Sequence, residues 1–125
     1  MATLIAPWIE GGLSEAQVRW VRRVSDPSGM CQVASQRLLE RMLRSRLFAG
    51  CEMSLVEGRY GRSYHVWLEV GGVVVDPTAY QFCEGGDVGE IDPRLYHGRR
   101  RWSDPLEYEG YMARRLMRRA LRGVL

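Results

Sequence analysis

The stretch His65-Val66-Trp67-Leu68-Glu69-Val70-Gly71-Gly72-Val73-Val74-Val75-Asp76-Pro77 decides the fold. Two runs rich in β-branched and aromatic residues flank a glycine pair, the signature of a hairpin whose two turn residues both need positive φ. With Gly71 and Gly72 as the turn, Val70 faces Val73, Glu69 faces Val74, Leu68 faces Val75 and Trp67 faces Asp76. Side chains alternate along a strand, so Val66, Leu68, Val70, Val73 and Val75 share one apolar face, and His65, Trp67, Glu69, Val74 and Asp76 share the other. His65 and Asp76 become diagonal neighbours, close enough for an imidazole and a carboxylate to meet. Pro77, which lacks an N–H, closes the second strand.

Upstream of the hairpin the period changes from two to about 3.6. Between about Met30 and Phe48, Cys31, Ala34, Leu38 and Met42 recur at helical spacing beside Leu39, Leu43 and Leu47, with Arg37, Glu40, Arg41 and Arg44 between them. Ser25-Asp26-Pro27-Ser28-Gly29 precedes this helix with turn and capping chemistry, and Gly50 follows it. An earlier helix is predicted over Ser14 to Val24, where Ser14 and Gln17 have capping-box spacing and Val18, Val21 and Trp20 supply an inward face. Cys51-Glu52-Met53-Ser54-Leu55 alternates like a half-buried strand, and Gly58 and Gly61 bracket the next turn. Cys83 to Gly98 reads as loop, and Ser103-Asp104-Pro105 opens a last helix to about Arg122. The order is α, α, β, β, β, α, an α+β chain with a nucleophile-bearing helix packed on a small antiparallel sheet and additional N- and C-terminal helices.

Size and composition bound what such a chain can be. At 125 residues, 46% hydrophobic and 26% charged, it reads as a single domain spanning residues 1–125, neither disordered nor repetitive. The longest uncharged stretch, Pro27 to Gln36, is far too short and polar to span a membrane, and Met1 to Gly12 lacks the basic start and apolar run of a secretory signal. Three widely spaced cysteines, Cys31, Cys51 and Cys83, suit reduced thiols. Together these features predict a cytoplasmic protein. All 18 basic residues are arginine, and asparagine is absent too, a pairing that points to a GC-rich genome. Residues 99–125 hold eight of those arginines against three acids, so the modest net charge of +3 is concentrated at the C-terminus.

One constellation can carry chemistry. Cys31 falls in the first turn of its helix, where unpaired backbone N–H groups and the helix dipole favour a thiolate. His65 is placed to take the thiol proton, and Asp76 to orient His65 and stabilise its imidazolium. These residues also resemble a known group. Gly29-Met30-Cys31 before a helix, then His65-Val66-Trp67-Leu68-Glu69-Val70, Val75-Asp76-Pro77-Thr78 and Gln81-Phe82, is similar to the transglutaminase-like branch of the papain-like cysteine hydrolases, including small phage and bacterial proteins. The resemblance covers roughly residues 28 to 82. It implies a papain-like core and a cofactor-free thiol protease, glutamine deamidase or transglutaminase-like enzyme, with Cys31, His65 and Asp76 as the catalytic residues and a protein or peptide as substrate.

One departure stands out: papain-like peptidases usually carry a glutamine shortly before the nucleophile, and none lies between Ser25 and Met30. Gln17, Gln32 and the Cys31 backbone N–H are the candidate oxyanion donors. Trp67 is either a packing residue or a wall of the site. A zinc centre built from Cys31, Cys51, Cys83 and His65 or His97 lacks the CxxC and HxxxH spacings, and no phosphate-loop or dinucleotide motif occurs, so no metal or cofactor is predicted. A reading from another class remains: a catalytically inactive module whose Arg99-Arg100-Arg101 run and Arg115, Arg118, Arg119 and Arg122 engage an acidic protein or a nucleic acid. The plainer alternative is a solvated arginine face near a helix C-terminus.

Overall fold

A computed structural model describes residues 13–25, 30–82 and 91–124. The N-terminal segment to Gly12, residues 26–29, for which a turn is expected, and Cys83 lie outside the described residues. The chain is α+β, and the described residues form three α-helices and a four-stranded antiparallel sheet. The helices are α1 (Glu15–Val24), α2 (Cys31–Leu43) and α3 (Pro105–Val124). The strands are β1 (Met53–Tyr60), β2 (Ser63–Val70), β3 (Val73–Val75) and β4 (Tyr96–Trp102), in the spatial order β3-β2-β1-β4.

The hairpin forms as its glycines require. Gly71 and Gly72 both take positive φ, +56° and +82°, and the ladder pairs Val70 with Val73, Glu69 with Val74 and Leu68 with Val75. It stops there, so the Trp67–Asp76 pair does not form: Asp76 leaves the strand and enters a turn capped by its own side chain. The apolar faces of β1 and β2 pack Leu55, Val66, Leu68 and Val70 against Leu38, Leu39 and Met42 of α2, all but fully buried. Removing such side chains from water is worth about 1.5–3 kcal/mol each and fixes α2 on this face. The capping box at the start of α1 is complete, with Ser14 and Gln17 bonding each other's backbone.

Two elements differ from the sequence reading. The long helix ends at Leu43, and a separate 3-10 turn over Arg46–Phe48 returns Phe48 to the core. Of the predicted loop 83–98, residues 83–90 lie outside the described residues and Tyr96 to Gly98 belong to β4, whose sequence Tyr-His-Gly-Arg-Arg-Arg-Trp has no apolar alternation to announce a strand. Backbone pairing with β1 holds β4 instead. For that reason Gly58 lies inside β1 rather than in a turn: a Cβ there would run into the His97 carbonyl oxygen at the point where the β1–β4 register shifts.

Candidate active site

Cys31 is the first residue of α2, preceded by Met30 in an extended N-cap conformation. One turn later Ser35 donates its hydroxyl to the Val66 carbonyl at 3.2 Å, which ties the helix start to β2 beside His65. His65 is fully buried, although the neighbouring Tyr64 is exposed. Its Nε2 meets Asp76 Oδ2 at 2.6 Å, and Asp76 is buried as well. Three further groups hold that carboxylate. The Thr78 backbone N–H and hydroxyl donate to Oδ1 at 3.0 and 3.3 Å, and the Tyr96 hydroxyl donates to Oδ2 at 2.7 Å. With Nε2 occupied, Nδ1 is the imidazole nitrogen left for other partners.

The electrostatics follow from this packing. Burial alone would push the His65 imidazolium down, but hydrogen bonds to Asp76 and to the Cys31 side chain, with the charges behind them, push its pKa up to about 9. The imidazole therefore carries its proton at neutral pH and couples directly to Cys31. Around the pair stands an aromatic shell: Phe82 edge-on to His65 at 4.7 Å, Trp67 stacked on it at 5.9 Å, and Tyr96 against Trp67 at 5.0 Å. Such a shell excludes water and strengthens the charged hydrogen bonds inside it.

The structure brings Cys31, His65 and Asp76 together and adjoins Gln32 to them, whose Oε1 lies 3.6 Å from the Cys31 sulfur. Trp67 is only 1% exposed, so it shelters the pair. Its buried indole N–H has no hydrogen-bond partner among the described residues. Gln17 is not at the site. Its amide oxygen is used in the capping box, and its Nε2 donates to the Leu47 carbonyl at 2.7 Å, beyond the far end of α2, a helix roughly 20 Å long. Cys51 sits with Gln17 at that far end, separated from Cys31 and His65. Among the described residues no group of His, Cys, Asp and Glu is arranged to hold a metal ion.

The residue the sequence reading missed is Gln81. It stands in the 3-10 turn over Ala79–Phe82, is exposed, and brings Nε2 to 3.4 Å from His65 Nδ1. The same Nε2 donates to the Thr78 carbonyl and hydroxyl oxygens, both at 3.1 Å. A carbonyl oxygen accepts only, so Thr78 fixes which end of the Gln81 amide faces the site: the donor end. The glutamine was visible in the motif, but only the turn after Asp76 folds it back onto the histidine.

Comparison with protein-family models, with curated proteins and with solved structures found no match. The resemblance to the transglutaminase-like proteins thus rests on the quoted residues alone, and their geometry must carry the functional argument.

Proposed function

We propose that this chain is a cofactor-free thiol hydrolase or acyltransferase of papain-like, transglutaminase-like type, acting on an amide of a protein or peptide. The single observation that supports it most is the buried His65 Nε2–Asp76 bond, which leaves the imidazole coupled to a cysteine at the first turn of a helix. A satisfied core histidine would not need a carboxylate held by three other donors and a thiol on its other side.

In this reading the Cys31 proton already rests on His65, whose imidazolium form is the one favoured at neutral pH, and the thiolate attacks the substrate carbonyl carbon. The carbonyl oxygen becomes an oxyanion. The Cys31 backbone N–H is its first proposed donor, and Gln81 Nε2 is the second, releasing one of its two Thr78 acceptors to take the oxyanion. Collapse breaks the C–N bond, the imidazolium gives its proton to the leaving amine or ammonia, and a thioester remains on Cys31. Water then adds with its proton passing to His65, the C–S bond breaks, and the acid leaves as the thiol is restored; an amine in place of water gives transfer.

The test has two arms. Iodoacetamide near neutral pH should label Cys31 far faster than Cys51 or Cys83, and equal rates would overturn the reading. Mass spectra of a protein mixture treated with wild type and Cys31→Ala then separate cleavage, deamidation and crosslinking by their mass changes.

A further inference from the structure

Beside the triad lies a cavity of about 400 Å³ between the start of α2 and the middle of α3. Met30 and Gln32, the two chain neighbours of Cys31, line one side. Met112, Arg115, Leu116 and Arg119 line the other, and Tyr64, next to His65, lies between them. The four α3 positions follow helical spacing i, i+3, i+4 and i+7, so one face of that helix forms a continuous wall. It is unusually apolar for a surface: Met30 is 69% exposed and Leu116 59%.

The charge at this place is one-sided. Arg115 binds Glu57 at 3.0 Å, but Arg100 binds the same carboxylate at 3.2 Å, so one negative charge answers two guanidiniums. Among the described residues Arg119 is exposed with no ion-pair partner, and no acidic side chain lines the cavity. The place is therefore both greasy and positive, and it flanks the nucleophile along the chain itself.

We propose that this cavity is the subsite that selects the substrate: it takes a peptide segment in which a large apolar side chain stands next to a carboxylate, the apolar group on Met30, Met112 and Leu116 and the carboxylate on Arg119. The inference rests on the hydrolase reading for its link to Cys31. Arg115, locked to Glu57 and Tyr64, shapes the wall and contributes field.

The experiment uses the full chain with methyl-labelled methionine. An acetylated, amidated hexapeptide of alternating Leu and Glu is titrated against two controls, one alternating Leu and Lys, the other Ser and Glu. The Leu-Glu peptide should move the Met30 and Met112 methyl signals, leave those of buried Met42 and Met53 in place, and slow iodoacetamide alkylation of Cys31 over the same concentration range. Both controls should bind about tenfold more weakly or worse, and Arg119→Glu should invert the preference between the Leu-Glu and Leu-Lys peptides. Equal binding of the Leu-Lys peptide, no methyl shift, or methyl shifts without protection of Cys31 would overturn the proposal. Should Cys31 react no faster than the other thiols in the free protein, the hydrolase reading falls, and the methyl titration alone then decides whether the cavity binds this peptide chemistry.

Discussion

Two carboxylates are buried, Glu57 within β1 and Asp76 just past the end of β3, and their surroundings differ in one respect. Glu57 on β1 accepts from Tyr64 at 2.8 Å, Tyr111 at 2.9 Å, Arg115 at 3.0 Å and Arg100 at 3.2 Å. Arginine does not titrate in the working range of a protein, and burial together with the Glu57 hydrogen bond holds the Tyr64 hydroxyl well above its ordinary range. This centre is saturated with donors that keep their protons, and it binds β1, β2, β4 and α3 together. Asp76 is equally buried, but one of its partners is a histidine that also interacts with the Cys31 side chain. A buried carboxylate becomes a functional group through a partner that can let go of a proton.

The sharpest break between the two centres should come from the nucleophile. Cys31→Ala is expected to abolish turnover and leave the melting temperature nearly unchanged, because a half-buried thiol at a helix start contributes little packing. His65→Gln should lower turnover by roughly 10²–10⁴-fold, the range for a lost general acid–base. Near-normal turnover in either variant, on a substrate identified from the mass spectra, would remove the chemistry from this site.

Glu57→Gln should do the reverse. Two guanidiniums lose their countercharge in a partly buried network, and a cost of about 2–4 kcal/mol in unfolding free energy is expected, less than for a sealed pair because Arg100 is 59% exposed. Alkylation of Cys31 in the folded variant should match wild type. Slower alkylation without loss of stability would mean that the two centres are one.

Part of this contrast is legible in the amino-acid sequence. The glycine pair fixed the register of Leu68–Val70 on Val73–Val75, but the Trp67–Asp76 pair expected from parity does not form, and the turn after β3 brings Asp76 to His65 instead. Cys31 at a helix start followed from the apolar period and the turn chemistry before it. The Glu57 centre was not legible, because its partners come from strands and helices up to 58 residues away and carry no local pattern. The arginines read as one solvated or partner-binding cluster divide accordingly. Arg100 and Arg115 belong to Glu57, Arg101 pairs with Glu69 at 3.1 Å, and Arg118, Arg119 and Arg122 remain on the surface. Strand β4 was hidden for the same reason, since backbone pairing leaves no mark on the sequence.

Gln81 sharpens the comparison from the chemical side. Alkylation by iodoacetamide displaces iodide with no oxyanion, whereas acylation by p-nitrophenyl acetate passes through one. Gln81→Ala should therefore slow the nitrophenolate burst by roughly 10–10³-fold and leave alkylation nearly untouched. Equal slowing of both would make Gln81 a positioning residue for His65, and no slowing of either would leave the oxyanion to other donors.

The two centres should also differ in pH dependence. His65 has its pKa raised from 6.5 to about 9, so its folded-state interactions stabilise the protein fully below about pH 6.5, and that stabilisation is lost as pH rises through 9. Turnover should fall along an alkaline limb near the same pH as the imidazolium loses the proton it gives to the leaving group. Thermal melts from pH 6 to 10 should show the decline in wild type and a flatter profile in His65→Gln, with the Glu57 network contributing little to either.

The smallest effect expected is that of Tyr96→Phe, and its sign is informative. The tyrosine hydroxyl donates to Asp76 Oδ2, the oxygen that also faces His65, while its ring packs on Trp67 at 5.0 Å and Tyr60 at 4.9 Å. Phenylalanine keeps those ring contacts and deletes only the donor, at a cost of about 1–2 kcal/mol for a hydrogen bond to a charged group. Without that donor more of the carboxylate charge rests on the oxygen facing the imidazolium, so the His65 pKa should rise. The alkaline limb of turnover should accordingly move up by a few tenths of a pH unit, and the imidazole signals in a proton NMR titration should move with it. A downward shift would mean that the hydroxyl holds Asp76 in place against His65, so that losing it lets the pair drift apart. In that case Asp76 would need its four-donor clamp for geometry, as Glu57 does, and the distinction between the two carboxylates would lie only in the thiol that His65 touches.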